Sequence, residues 1–130
     1  YRQTLASNGF TLPETAIKYP ATSQMEIRQA FDELLKIPEP PTAIFVVTDN
    51  LAIRILRAAR EAGVQIPKDM AVIGFDDMEF SEQVGLTTID QSLDESGRIA
   101  VGLLLARIEN PERPVQRVVI GLRVIPRETA

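Results

Sequence analysis

Apolar residues recur along this chain with two periods, and the switches between them predict an alternation of helices and strands. Tyr1 and Leu5 stand one helical turn apart and Asn8-Gly9 supplies a stop, so the chain is expected to open inside a helix ending near Asn8. Residues 15–19 alternate as a short strand. Ser23 and Glu26 form a capping-box pair, Ser23 bonding forward and Glu26 back. The helix that follows places Ile27, Ala30, Phe31, Leu34 and Leu35 on one face, and Pro38, Pro40 and Pro41 end it. The unbroken apolar run at 42–47 predicts a strand covered on both faces, hence a parallel sheet. Thr48 or Asp49 caps the next helix, which is lined by Leu51, Ile55, Leu56, Ala59 and Ala62 and closed by Gly63. A buried strand at 71–75 and a shorter one at 86–89 follow, with residues 76–85 between them. The longest helix, 92–109, ends at Asn110-Pro111, and Val118, Ile120, Leu122 and Val124 alternate as a final strand. The order predicts an α/β fold with a doubly wound parallel sheet, whose ligands lie outside the carboxyl ends of the strands.

Composition narrows the chemistry. At 130 residues and 45% hydrophobic content the chain makes one compact domain. Eighteen acidic against fourteen basic side chains leave a formal charge of -4, without a Lys/Arg cluster, which argues against direct contact with phosphate backbones. The absence of cysteine excludes disulfides and thiolate metal sites and fits a cytoplasmic location. No apolar stretch approaches the ~20 residues a bilayer needs, and the first residues lack a signal peptide's layout, so a soluble chain with no membrane partner is expected. Without histidine or cysteine the usual bases and nucleophile pairs are missing. Neither GxGxxG nor GxxxxGK(S/T) occurs, which leaves nucleotide binding unsupported. The chain is therefore read as a binding domain rather than an enzyme, with no cofactor.

The strand exits carry the main signal. Parallel strands deliver Thr48-Asp49, Asp76-Asp77 and Asp90-Gln91 to one rim, and such a set of acceptors and hydroxyl or amide donors suits polyols and sugars. Asp49 and Asp77 also read as caps of their helix and turn, whereas Asp76, directly after a buried strand, has no such local duty. If the strand geometry extends to them, the consecutive Asp76 and Asp77 point to opposite faces and share neither proton nor substrate. A Mg2+ cluster of Asp49, Asp76 and Asp77 is a further alternative, without a phosphate loop to accompany it. Off the core stripe, Ile53 and Arg57 flank the outer side of their helix, and Met78, Phe80 and Val84 crowd a short segment, as an interface or as packing under a loop.

The string TAIFVVTDNLAIRILRAAREAGVQIPKDMAVIGFDDMEFSEQ, then LTTIDQSLDESGRIAVGLLL and the ending VIPRETA, resembles the LacI/GalR family of bacterial transcription regulators over nearly the whole chain. In that family a helix-turn-helix head binds operator DNA and a two-lobed domain, similar to periplasmic sugar-binding proteins, senses an effector. The resemblance implies a periplasmic-binding-protein-like (type I) second lobe in residues 1–86, an inter-lobe hinge strand at 87–91, a first-lobe helix and loop at 92–117, and a return strand and tail at 118–130. It implies an effector that is a sugar, sugar phosphate or nucleoside, contacted by Asp76 as the first acid of GFDD, with Thr48 and Thr22 at further contact positions; the strand exits add Asp49 and Gln91 to the candidate ligand set. Thr48 stands where an asparagine is common and Thr22 where an aromatic often stacks, and losing a ring weakens the case for a simple sugar. A protein coregulator stays open.

The family also implies a homodimer built partly on Ile53, Arg57, Phe80 and Val84, and contact with operator DNA only through a head outside this chain. An opening helix with no capping side chain fits a fragment of something longer. A periplasmic solute-binding protein of the same architecture is the alternative function and an α/β enzyme the third. Because the helix at 92–109 is apolar on most of its circumference, it is expected to fold back on the remaining sheet or dock on a second copy.

Overall fold

A computed structural model describes residues 1–19 and 23–130. Helix α1 (Arg2–Ser7) ends with Gly9 at positive φ, and a 3-10 turn (Glu14–Ala16) follows. Helix α2 (Gln24–Leu35), strand β1 (Ala43–Phe45), helix α3 (Asp49–Ala62) and strand β2 (Ala71–Ile73) form the main strand-helix unit. Short helix α4 (Glu79–Gln83), strand β3 (Thr88–Asp90), long helix α5 (Leu93–Glu109) and strand β4 (Arg123–Ile125) complete the order.

The hydrogen bonds make β2 central. It pairs in parallel with β1, Ile44 opposite Val72, and on its other side Ile73 bridges in parallel to Thr87. The amides of Val72, Gly74 and Asp76 donate in turn to Thr129 O, Thr87 O and Ile89 O, at 2.8, 2.9 and 2.9 Å. Strand β3 then pairs antiparallel with β4, Ile89 opposite Val124.

One face of this sheet builds the core. Val46, Val72, Leu86 and Met70 meet Ile27 and Phe31 of α2 and the small Ala52, Ala58 and Ala59 of α3. Alanines on α3 leave room for the bulkier side chains of α2, and burying Phe31 or Ile27 contributes roughly 1.5–3 kcal/mol each. Both helices are stopped and started by local chemistry. Ser23 Oγ accepts from the Glu26 amide at 3.3 Å, while the Glu26 carboxylate takes the Ser23 hydroxyl rather than the backbone amide expected of the box. Gly63, at φ 76°, ends α3 by donating to Ala59 O and Arg60 O. On the opposite face Tyr1 stacks on Phe45 at 5.4 Å between centroids, and Phe45 meets Phe75 edge-on at 6.2 Å.

Several expectations change. Residues 15–19 form no strand: the first two belong to the 3-10 turn, the Ala16 amide returning to Pro13 O, and the extended Ile17 has no ladder partner among the described residues. The run 42–47 is covered firmly on one face only, Val46 being 4% and Val47 65% exposed. The final strand is confined to Arg123–Ile125, because extending its register past Asp90 would reach Ser92, whose φ of 52° turns the chain into α5. Helix α5 does not fold back on the sheet; none of its residues is buried.

Candidate functional site

The start of α3 lies beside the exit of β2, because the Asp49 amide donates to Phe75 O at 2.9 Å. Thr48 is the cap, its Oγ1 accepting from the Leu51 amide at 3.3 Å. Asp49 is fully buried. Its Oδ1 accepts from Thr88 Oγ1 at 2.6 Å, and its Oδ2 from Ser81 Oγ at 2.6 Å and the Met78 amide at 3.0 Å. Three donors offset the cost of burying a carboxylate. The sequence places Asp49 on the ligand rim, but enclosed and with both oxygens engaged it leaves that set and ties α3 to α4 and β3.

At Asp76 the chain leaves β2 with φ at 124°, and Asp77 follows at 51°. Two successive non-glycine residues in this region mark a conformation that the surroundings must hold. The Asp76 amide bonds Ile89 O, and its Oδ1 accepts from Gln91 Nε2 at 2.5 Å. No donor to its Oδ2 occurs among the described residues. Asp77 does not cap its own turn; its Oδ1 accepts from Arg127 Nη2 at 2.8 Å. The two consecutive carboxylates therefore take different partners, through left-handed backbone rather than strand alternation.

Thr48, Asp76 and Gln91 thus belong to one edge, joined through Phe75 and the Asp76–Gln91 bond. Thr22 lies outside the described residues. Next to Gln91, Asp90 turns to structure: it accepts from the Ser92 amide at 2.6 Å and from Arg123 Nη2 at 2.5 Å. The Ser92 N–H first, and Arg123 second, hold the Asp90 carboxyl below its usual range, and Asp90 in turn raises the Arg123 guanidinium. Asp49, Asp76 and Asp77 do not converge, and among the described residues no three carboxylates gather as metal ligands.

Sequence reasoning missed the chain's end. Thr129 is buried, donating from Oγ1 to Val72 O and accepting there from the Thr87 amide, at 2.8 and 2.9 Å. The available signal was Thr87-Thr88 continuing a buried run, since hydroxyls in an apolar setting need partners.

Of the candidate interface residues, Ile53 is half-buried and Arg57 exposed, paired with Glu61 at 2.8 Å. Phe80 is half-buried and Val84 exposed, at α4 and its end. The Asp49–Ser81 bond holds α4 against the start of α3. A shallow groove of Leu103, Leu104, Arg107 and residues 113–116 lies at the far end of α5, away from the rim.

The periplasmic-binding-protein-like domain family matches residues 1–130. The ribose operon repressor of Escherichia coli (strain K12) is 36% identical over 123 residues, covering 91% of this chain and 36% of the repressor. Among solved structures, a transcriptional regulator CelR in complex with cellobiose superposes with a TM-score of 0.86 at 29% identity, over 100% of this chain and 40% of that one. A LacI-family regulator from Enterococcus faecium with bound ribose gives 0.78 at 30% identity, over 98% and 48%. The chain thus spans well under two thirds of each of these proteins. Among the described residues no helix is long and apolar enough to cross a membrane.

Proposed function

The chain belongs to the periplasmic-binding-protein-like domain family, in the form carried by LacI-type transcription regulators, and from that premise we propose that it senses a small hydroxyl-rich effector at the rim formed by Asp76, Gln91 and Thr48. The observation that carries this reading is Asp76. It stands at the exit of the central strand in a sparsely populated conformation, one oxygen fixed by Gln91 and the other with no protein donor among the described residues. A carboxylate so held accepts a hydrogen bond from a ligand hydroxyl without rearranging. Thr48 Oγ1 already accepts from Leu51, which leaves its proton to donate, so the edge presents both senses of hydrogen bond.

In this proposal residues 1–86 form one lobe, 87–91 a hinge strand, 92–117 the helix and loop of the other lobe, and 118–130 the return strand and tail. The effector closes between lobes, and operator DNA is bound by a head outside these residues. The likeness to a ribose repressor and to a ribose-bound regulator supports a sugar or a sugar-bearing molecule; sugar phosphates and nucleosides carry the same hydroxyls. The repressor likeness favours this over a periplasmic receptor and over an enzyme.

Asp76→Ala in the intact gene product removes a charged acceptor from a closed cleft. Effector binding should weaken by about 2 kcal/mol or more. Calorimetry against D-ribose, cellobiose, nucleosides and sugar phosphates first finds the ligand and then measures the change. An unaltered dissociation constant for the variant would take Asp76 out of the site.

A further inference from the structure

We propose that Arg127, near the end of the chain, is a positioning residue for the effector rim: its guanidinium fixes Asp77 and thereby keeps Asp76 offering its second oxygen to the ligand. The inference rests on the reading of Asp76 as a ligand contact. Asp76 and Asp77 carry φ values of 124° and 51° in succession, and such a turn persists only where its neighbours over-determine it. On the Asp76 side the ties are close, 2.9 Å from its amide to Ile89 O and 2.5 Å from Gln91 to its carboxylate. The Asp77 amide, by contrast, reaches Thr88 Oγ1 only at 3.4 Å. Arg127 supplies the firm hold at Asp77.

Its Nη2 donates to Asp77 Oδ1 at 2.8 Å and its Nη1 to Leu86 O at 2.9 Å. The side chains of Arg127 and Asp77 are 17% and 27% exposed, so water screens the pair only in part. A planar fork reaches both acceptors at fixed spacing, which a lysine ammonium does not. The brace is itself anchored. The Arg127 amide donates to Thr87 Oγ1 and the Glu128 amide to Gly85 O, both at 2.8 Å, and Thr129 O accepts from Val72 at 2.8 Å. The tail is thus locked to β2, the strand whose exit it steadies.

The test compares Arg127→Gln, Arg127→Lys and Asp77→Asn in the intact gene product, by amide hydrogen exchange without ligand and by equilibrium binding of D-ribose. Arg127→Gln should exchange at least tenfold faster over residues 75–79 while α3 keeps its protection. Lysine should not restore the rate, and D-ribose affinity should fall at least tenfold with little change in the thermal midpoint. Asp77→Asn, which keeps the Arg127 bond to Leu86 O, should show a smaller change at the same residues; it carries the test if Arg127→Gln fails to fold. Unchanged exchange at 75–79 overturns the proposal, as does equal acceleration in α3, which would make Arg127 a general support. If the unaltered protein takes up no D-ribose, the ribose-like reading of the site fails, and the exchange comparison still decides the role of Arg127.

Discussion

At Gly74 the backbone leaves no room for a side chain. A Cβ there would sit 2.2 Å from Asp49 Oδ1 and 3.0 Å from Leu86 Cδ2. The obstacle is no flexible tip, because Asp49 is held by Thr88, Ser81 and Met78. Gly74→Ala must displace that carboxylate and strain its hydrogen bonds, so it should cost about 3 kcal/mol, at the upper end of overpacking substitutions. Urea unfolding measures the loss, with Gly97→Ala as control, since a Cβ at Gly97 meets nothing within 4 Å. Equal midpoints for the two variants would show that the Asp49 cluster yields freely. Asp49 also shows where one-residue reading stops. Its place in the first turn of a helix was legible, and capping was a sound inference from it, yet its partners come from 29, 32 and 39 residues away and no local pattern announces them.

At the scale of elements, α2, α3 and the central strands were legible because their signals are local: a capping serine, apolar residues at helical spacing, a closing glycine. The strands came out shorter than read, since strand length is set by the partner. Residues 118–122 alternate well but find no ladder among the described residues, because β3 turns away at Ser92. That Thr48, Asp76 and Gln91 share one edge was legible from the strand exits; the contact of the tail with that edge was not, since Arg127 meets Asp77 across 50 residues. The proposed homodimer belongs to this scale too. Ile53 lies on the outer side of α3, and the Asp49–Ser81 bond holds α4, with Phe80 and the adjoining Val84, near the start of that helix. A two-fold axis would set this patch against itself. Ile53→Asp then places two carboxylates in one apolar seam, and sedimentation of the intact gene product should show monomers; persistent dimers would assign the contact to another surface.

At the scale of the 130-residue chain, α5 stands apart. Its 17 residues bury no side chain, and Leu93, Val101, Leu104, Leu105 and Ile108 are all exposed. Each large side chain left in water forgoes roughly 1.5–3 kcal/mol, and a helix of this length draws little stability from propensity alone. The core formed by α2, α3, β1 and β2 has no such weakness, so the two regions should differ sharply in local stability. In the 130-residue chain, hydrogen exchange over residues 99–108 should be at least a hundredfold faster than over residues 52–59 of α3. Sedimentation at the same concentration makes the result decisive. Slow exchange in a monomer would mean that α5 folds back on the sheet, contrary to the structure. Slow exchange in a dimer would mean that a second copy covers it, with the apolar face supplying the driving force that the single chain leaves unused.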